Sequence, residues 1–176
     1  MVKNIFSKLE KPYIIAEAGI NHNGKLQTAY NLVDVAKKNG ANAIKFQTYD
    51  TKKRVGNINK KIFEILKKCE LTFDDFKKIN IYCKKKKITF FSTPFDEESV
   101  DFLEHIKVPF YKIASFDISN YQLIKKIIKT GKPTIASTGM ASFDEIKKIY
   151  KMFSSKDMNL SILHCVSSYP NHDKSS

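Results

Sequence analysis

Arginine is almost missing from this 176-residue chain: of its 31 basic residues, all but Arg54 are lysine. Base readout and bidentate phosphate grips favour the forked guanidinium. The formal net charge of +13 therefore reads as a solvated lysine surface before it reads as a nucleic-acid interface. The lysines fall mostly on the polar faces of the expected helices, the run Lys84 to Lys87 included. A residual role in drawing in an anionic small molecule stays open. Long apolar runs are absent as well: none approaches the roughly 18 residues of a membrane span, and Met1 to Pro12 has no secretory core. Cys69, Cys83 and Cys165 form no CxxC pair and are odd in number, which suits a reduced, cytoplasmic protein with packing thiols. The histidines show no metal-ligand spacing; His105 reads as helix surface, while His22 and His164 sit at strand ends and either line a site or do not.

What the chain does have is a repeated unit in which a short apolar run ends in polar residues and an amphipathic stretch follows. Six such runs read as strands: Tyr13 to Glu17, Ala43 to Gln47, Ile88 to Ser92, Phe110 to Ala114, Pro133 to Ser137 and Leu160 to His164. They are nearly apolar throughout, as strands covered on both faces must be. Leu26, Ala29, Tyr30, Val33 and Ala36 keep helical spacing, and Asn39-Gly40 supplies a left-handed stop. Ile62 to Lys87 reads as two helices broken near Leu71, with Thr72 as N-cap. Leu123 to Ile128 forms an apolar stripe closed by Thr130 to Pro133, and Ser142-Phe143-Asp144-Glu145 is a capping box. Alternating strands and helices predict an α/β fold of parallel βαβ units. At 42 % hydrophobic, 176 residues can bury one core, so one domain is expected over 1–176.

Parallel α/β enzymes keep their chemistry where buried strands stop. Glu17, Asn21, His22 and Asn23 stand at the end of the first strand, ahead of Gly24. Lys45 and Lys112 lie inside apolar strands, where an ammonium needs an anionic partner. That partner is either an internal carboxylate such as Glu17 or a bound phosphate or carboxylate, and two lysines against one carboxylate favour the second. Lys45 and Gln47 are two apart and share a strand face. Ser92-Thr93-Pro94-Phe95-Asp96 and Ser137-Thr138-Gly139-Met140 each follow a strand and open a helix, which makes an anion cradle or an ordinary turn.

These motifs, together with Lys112-Ile113-Ala114-Ser115 and Leu163-His164-Cys165-Val166-Ser167-Ser168-Tyr169-Pro170, resemble the catalytic barrel of the sialic acid synthase family in content and order. The resemblance implies a partial (β/α)8 TIM barrel of about six of the eight βα units. It also implies a condensation of phosphoenolpyruvate with N-acetylmannosamine or a related acetamido sugar. Lys45, Gln47, Thr93, Lys112, Ser115, Ser137 and Tyr169 match positions that hold phosphoenolpyruvate in the family. Phe95 and Asp117 belong to the expected substrate-binding set, and Glu17 matches the carboxylate that helps activate water. In the implied reaction a divalent cation, Mn²⁺ or Mg²⁺, polarises the sugar aldehyde, C3 of phosphoenolpyruvate attacks it, water adds at C2 and phosphate leaves.

Phe116-Asp117 stands where sialic acid synthases often carry Gly-Glu, which points to branches making legionaminic or pseudaminic acid; Asn23 leans away from the pseudaminic branch. The family continues through two more strands that bring the metal-binding histidines, then an antifreeze-like domain. The expectation is thus a single incomplete barrel domain over 1–176, with that C-terminal domain absent and no metal ligands of its own. Its two terminal strands would be left as apolar edges. It would act as a homo-oligomer or with a complementing chain. An inactive remnant acting by association is the second reading, and a basic nucleic-acid-binding domain the third. Synthases of deoxy-octulosonate are the nearest enzyme alternative, which the Asn21 to Gly24 and Ser92 to Asp96 motifs disfavour.

Overall fold

In a computed structural model, residues 11–56, 59–168 and 171 are described. They fall into two compact units divided between Val108 and Pro109, and each carries one three-stranded parallel sheet. In the first unit β1 (Ile15–Gly19), β2 (Ala43–Thr48) and β3 (Thr89–Pro94) lie in sequential order. In the second, β4 (Tyr111–Ile113), β5 (Thr134–Ser137) and β6 (Leu160–Leu163) do the same. The helices between strands are α1 (Leu26–Lys38), α2 (Thr51–Val55), α3 (Lys60–Cys69), α4 (Phe73–Lys86), α5 (Glu97–His105), α6 (Tyr121–Lys129) and α7 (Phe143–Ser154). All six expected strands form, within two residues of their expected ends. The fold is the α/β class, built from consecutive βα units of TIM-barrel type.

Local chemistry explains the helix ends. Thr72 and Ser142 each close a capping box, with Asp75 and Glu145 as the reciprocal carboxylates. The stop after α1 is Asn39 followed by Gly40 at φ +83°. Two short elements escape the sequence pattern: α2, and a 3₁₀ turn over Ser115–Asp117. Five residues hold barely more than one helical turn, so no apolar period can show; α2 depends on the Asp50 carboxylate accepting from the Lys53 amide at 3.0 Å.

In the first unit, one face of β2 turns Ile44, Phe46 and Thr48 into the core. Phe46 stacks on Phe90 at 5.7 Å between centroids and meets Phe76 edge-on at 6.3 Å. Such aromatic pairs add about 0.5–1.5 kcal/mol each beyond area burial. In the second unit Tyr111, Ile113, Leu123, Ile124, Ile127, Ile149 and Phe153 are buried. Complete cover fails at β6, where Ile162 and Leu163 are 41 % and 43 % exposed. That strand is paired to β5 alone among the described residues. An apolar edge with open backbone groups is a template for pairing with another chain. Light scattering during size exclusion should find the protein larger than a monomer, and Ile162→Lys should shift it toward the monomer.

The β1–α1 turn positions the end of β1, and its sequence is dictated by close approach. Asn23 and Gly24 take positive φ, +52° and +69°, and a Cβ on Gly24 would collide with the Lys68 carbonyl oxygen. His22 is 1 % exposed, accepts the Gly24 amide hydrogen at Nδ1 (3.2 Å), and lies 6.0 Å from the Phe46 ring. It is a packing and turn residue. Burial lowers its pKa from 6.5 to about 4. The folded state therefore keeps His22 neutral while the unfolded chain protonates it. Its contribution is complete above about pH 6.5 and is lost as pH falls toward 4, on the order of 3 kcal/mol in all. Urea melts should show stability falling between pH 6.5 and 5, and His22→Gln should flatten that slope. An equal slope in both proteins would refute it.

Candidate functional site

In the first unit, strand register does most of the positioning. Parallel pairing sets Glu17 beside Lys45 and Phe91, and one row further on Gln47 beside Thr93. Paired residues of neighbouring strands project to the same face, so Glu17, Lys45, Gln47 and Thr93 share the face opposite Phe46. The register slips between Glu17 and Gly19, and Gly19 takes φ +53°. A Cβ there would stand 3.2 Å from Glu17 Oε1 and 3.7 Å from Gln47 Nε2. Glycine leaves both side chains their room.

Lys45 is ion-paired to Glu17. Glu17 is thus the internal carboxylate partner of Lys45. Exposure is unequal: the Lys45 side chain is 13 % exposed and that of Glu17 53 %. A pair with one open member contributes only about 0–1 kcal/mol to stability. Its larger effect is to hold a charged ammonium within the sheet while a carboxylate faces outward.

The motif after β3 splits its labour. Ser92 Oγ is 2.7 Å from Thr48 Oγ1 in the core. Asp96 caps α5 by accepting from the Ser99 amide (2.7 Å) and hydroxyl (2.9 Å), and also accepts from the Asp50 amide at 2.9 Å. The aspartate thus ties the β2–α2 corner to the start of α5. Phe95 is buried, with the Arg54 guanidinium 3.6 Å above its ring centroid. Arg54 also lies 4.7 Å from the Tyr49 centroid and donates from Nη1 to Gln47 Oε1 at 3.0 Å. Burial pushes the Tyr49 hydroxyl up to about 12, and that hydroxyl donates to the Leu66 carbonyl at 3.0 Å.

In the second unit Lys112 is 7 % exposed. Its ammonium donates to the Ile113 carbonyl at 2.6 Å and to Ser137 Oγ. Ser115 Oγ accepts from the Gly139 amide at 3.0 Å. A side chain on Gly139 would strike Ser167 Oγ and come within 3.1 Å of Ser115 Oγ. Lys112, Ser115 and Ser137 are thereby drawn toward one strand end, with glycine again keeping the space. Asp117, on the 3₁₀ turn, is 5 % exposed and accepts from Asn120 Nδ2 at 3.4 Å, whereas Phe116 is 70 % exposed. His164 is exposed. Tyr169 lies outside the described residues.

Of the ten residues named for the site from sequence, all but Tyr169 lie among the described residues, and Arg54, which contacts two of them, was not among the ten. The signal was available, since it is the one arginine in a lysine-rich chain and sits seven residues beyond Gln47. Among the described residues no three His, Cys, Asp or Glu side chains gather as a metal site. No helix among them is long and apolar enough to cross a membrane.

Known proteins resemble this arrangement closely. The MJ1065 protein of Methanocaldococcus jannaschii is 43 % identical over 93 % of this chain and 48 % of its own length. N,N'-diacetyllegionaminic acid synthase of Campylobacter jejuni is 37 % identical over 92 % of this chain and 53 % of its own. The crystal structure of N-acetylneuraminic acid synthetase from Leptospira borgpetersenii superposes with a TM-score of 0.89 at 40 % identity. It matches 93 % of this chain and 57 % of that one. The chain spans about half the length of the curated relatives it matches. The NeuB family pattern covers residues 32–175, and with these relatives it shows that the chain belongs to the NeuB family.

Proposed function

We propose that the chain binds phosphoenolpyruvate and serves its condensation with an acetamido sugar, N-acetylmannosamine or a relative, to give a nonulosonic acid and phosphate. The observation that carries this reading is the pair of lysines set within parallel strands, Lys45 against Glu17 and Lys112 against Ser137, in a chain of the NeuB family. Lys45, Gln47, Thr93, Lys112, Ser115 and Ser137 supply ammonium, amide and hydroxyl groups suited to phosphate and carboxylate oxygens. Phe95, Asp117 and Tyr169 complete the proposed substrate-binding set.

The enol carbon C3 attacks the sugar aldehyde, the positive charge left at C2 takes up water, and phosphate departs by C–O cleavage. Glu17 is the proposed catalytic carboxylate. Its open side and its place beside Lys45 suit it to accept a proton from that water. The Phe116-Asp117 pair favours the branches making legionaminic or pseudaminic acid. The working protein is proposed to be a cytoplasmic homo-oligomer or a chain complemented by another.

Calorimetric titration tests the ligand directly. Phosphoenolpyruvate should bind, and Lys112→Met should weaken binding by about 1.5–3 kcal/mol, the scale of a charge-assisted hydrogen bond. Circular dichroism should confirm that the variant folds. Equal affinity in the two proteins would remove Lys112 from the site.

A further inference from the structure

We propose that Arg54 is a positioning residue: it locks the Gln47 side-chain amide with its NH₂ group turned toward Gly19 and Glu17, as a donor to an oxygen of the bound substrate. The argument starts from the asymmetry of the two side chains. A guanidinium carries donors only, whereas a primary amide has one accepting and one donating end, interchanged by a half-turn. Arg54 Nη1 meets Gln47 Oε1 at 3.0 Å, which fixes the accepting end. The donating end must then face the other way, and Gln47 Nε2 does lie 3.7 Å from where a Cβ on Gly19 would stand, beside Glu17 Oε1. Phosphate and carboxylate oxygens are acceptors. An amide free to flip would meet them with its oxygen part of the time and repel them; Arg54 removes that orientation.

Arg54 is itself held between two aromatic rings. Its guanidinium lies 3.6 Å from the Phe95 centroid and 4.7 Å from that of Tyr49, and both rings are buried. A planar cation can stack on a ring and donate in its own plane at once, which a compact, strongly hydrated ammonium cannot. That explains arginine at this one position of a chain that otherwise uses lysine. It also gives Phe95 a place in the site as the shelf beneath Arg54. The inference rests on the phosphoenolpyruvate reading for the ligand's identity, but not for the Arg54–Gln47 contact.

Two measurements keep these apart. The Gln47 side-chain amide resonances, assigned by their loss in Gln47→Leu, should differ from those of the exposed Gln27 and Gln122. They should move to the ordinary exposed position in Arg54→Met and in Arg54→Lys, while backbone resonances away from α2 stay in place. In calorimetry with phosphoenolpyruvate, Arg54→Met and Gln47→Leu should each weaken binding about tenfold, and the double variant no more than either alone. Losses that multiply toward about a hundredfold would mean Arg54 acts independently of Gln47 and would overturn the proposal. Gln47 resonances unchanged in Arg54→Met would overturn it as well. Should the unsubstituted protein not bind phosphoenolpyruvate, the substrate reading fails, and the amide resonances alone decide: displaced in both Arg54 variants supports the lock, unchanged refutes it.

Discussion

A lysine ammonium carried into the face of a parallel sheet must be answered by oxygen, and the arrangement of both units follows from meeting that demand. Lys45 is answered by the carboxylate of Glu17 on the neighbouring strand, Lys112 by a main-chain carbonyl and the Ser137 hydroxyl. Neither solution is a strong stabiliser. An aliphatic residue at either position would be cheaper to bury, since isosteric apolar replacements of buried ion pairs are often neutral or favourable. The charges are therefore best explained by what they can hold. Once they are kept at strand ends, the neighbouring positions are constrained: the register that brings Glu17 to Lys45 also brings Gln47 to Thr93.

Space beside those charges is kept by glycine and by turns of fixed geometry. Gly19 stands against Glu17 and Gln47, and Gly139 against Ser115 and Ser167. The same economy marks Asp96, one carboxylate that caps α5 and grips the β2–α2 corner through the Asp50 amide. Because α2 starts at that corner, Asp96 helps fix the base from which Arg54 reaches back. Residues that read in sequence as an anion cradle thus divide: some offer groups to a ligand, and others hold the backbone that presents them.

Much of this was legible without coordinates because period and punctuation agree. Six apolar runs became six strands, and Thr72 and Ser142 became capping boxes. Lys45 and Lys112 stood out because burial of charge is the exception that composition alone can flag. What escaped depended on length or on distance. The helix α2 and the 3₁₀ turn are too short for any period. Arg54 has its meaning only once the fold lays it on Phe95. His22 was open between site and scaffold in sequence, and the Gly24 amide on its Nδ1 and the Phe46 ring beside it give it a scaffold role in the β1–α1 turn.

Several positions where local preference is overridden lie close to the end of β1, while Lys87 and Lys107 in the same unit also take positive φ. Gly19 and Asn23 at positive φ, a register slip in β1, a glycine pressed on the Lys68 carbonyl and a lysine within a sheet all fall between Glu17 and Gln47 or against them. Each carries a local cost that packing alone does not repay: left-handed backbone at Asn23, a broken ladder at the bulge and desolvation of an ammonium at Lys45. A sequence selected only for stability would relax them one by one, because most admit a cheaper residue. The costs that fall beside Glu17, Lys45 and Gln47 fit the proposed site, since conflict between local propensity and global fold collects where binding sets the terms.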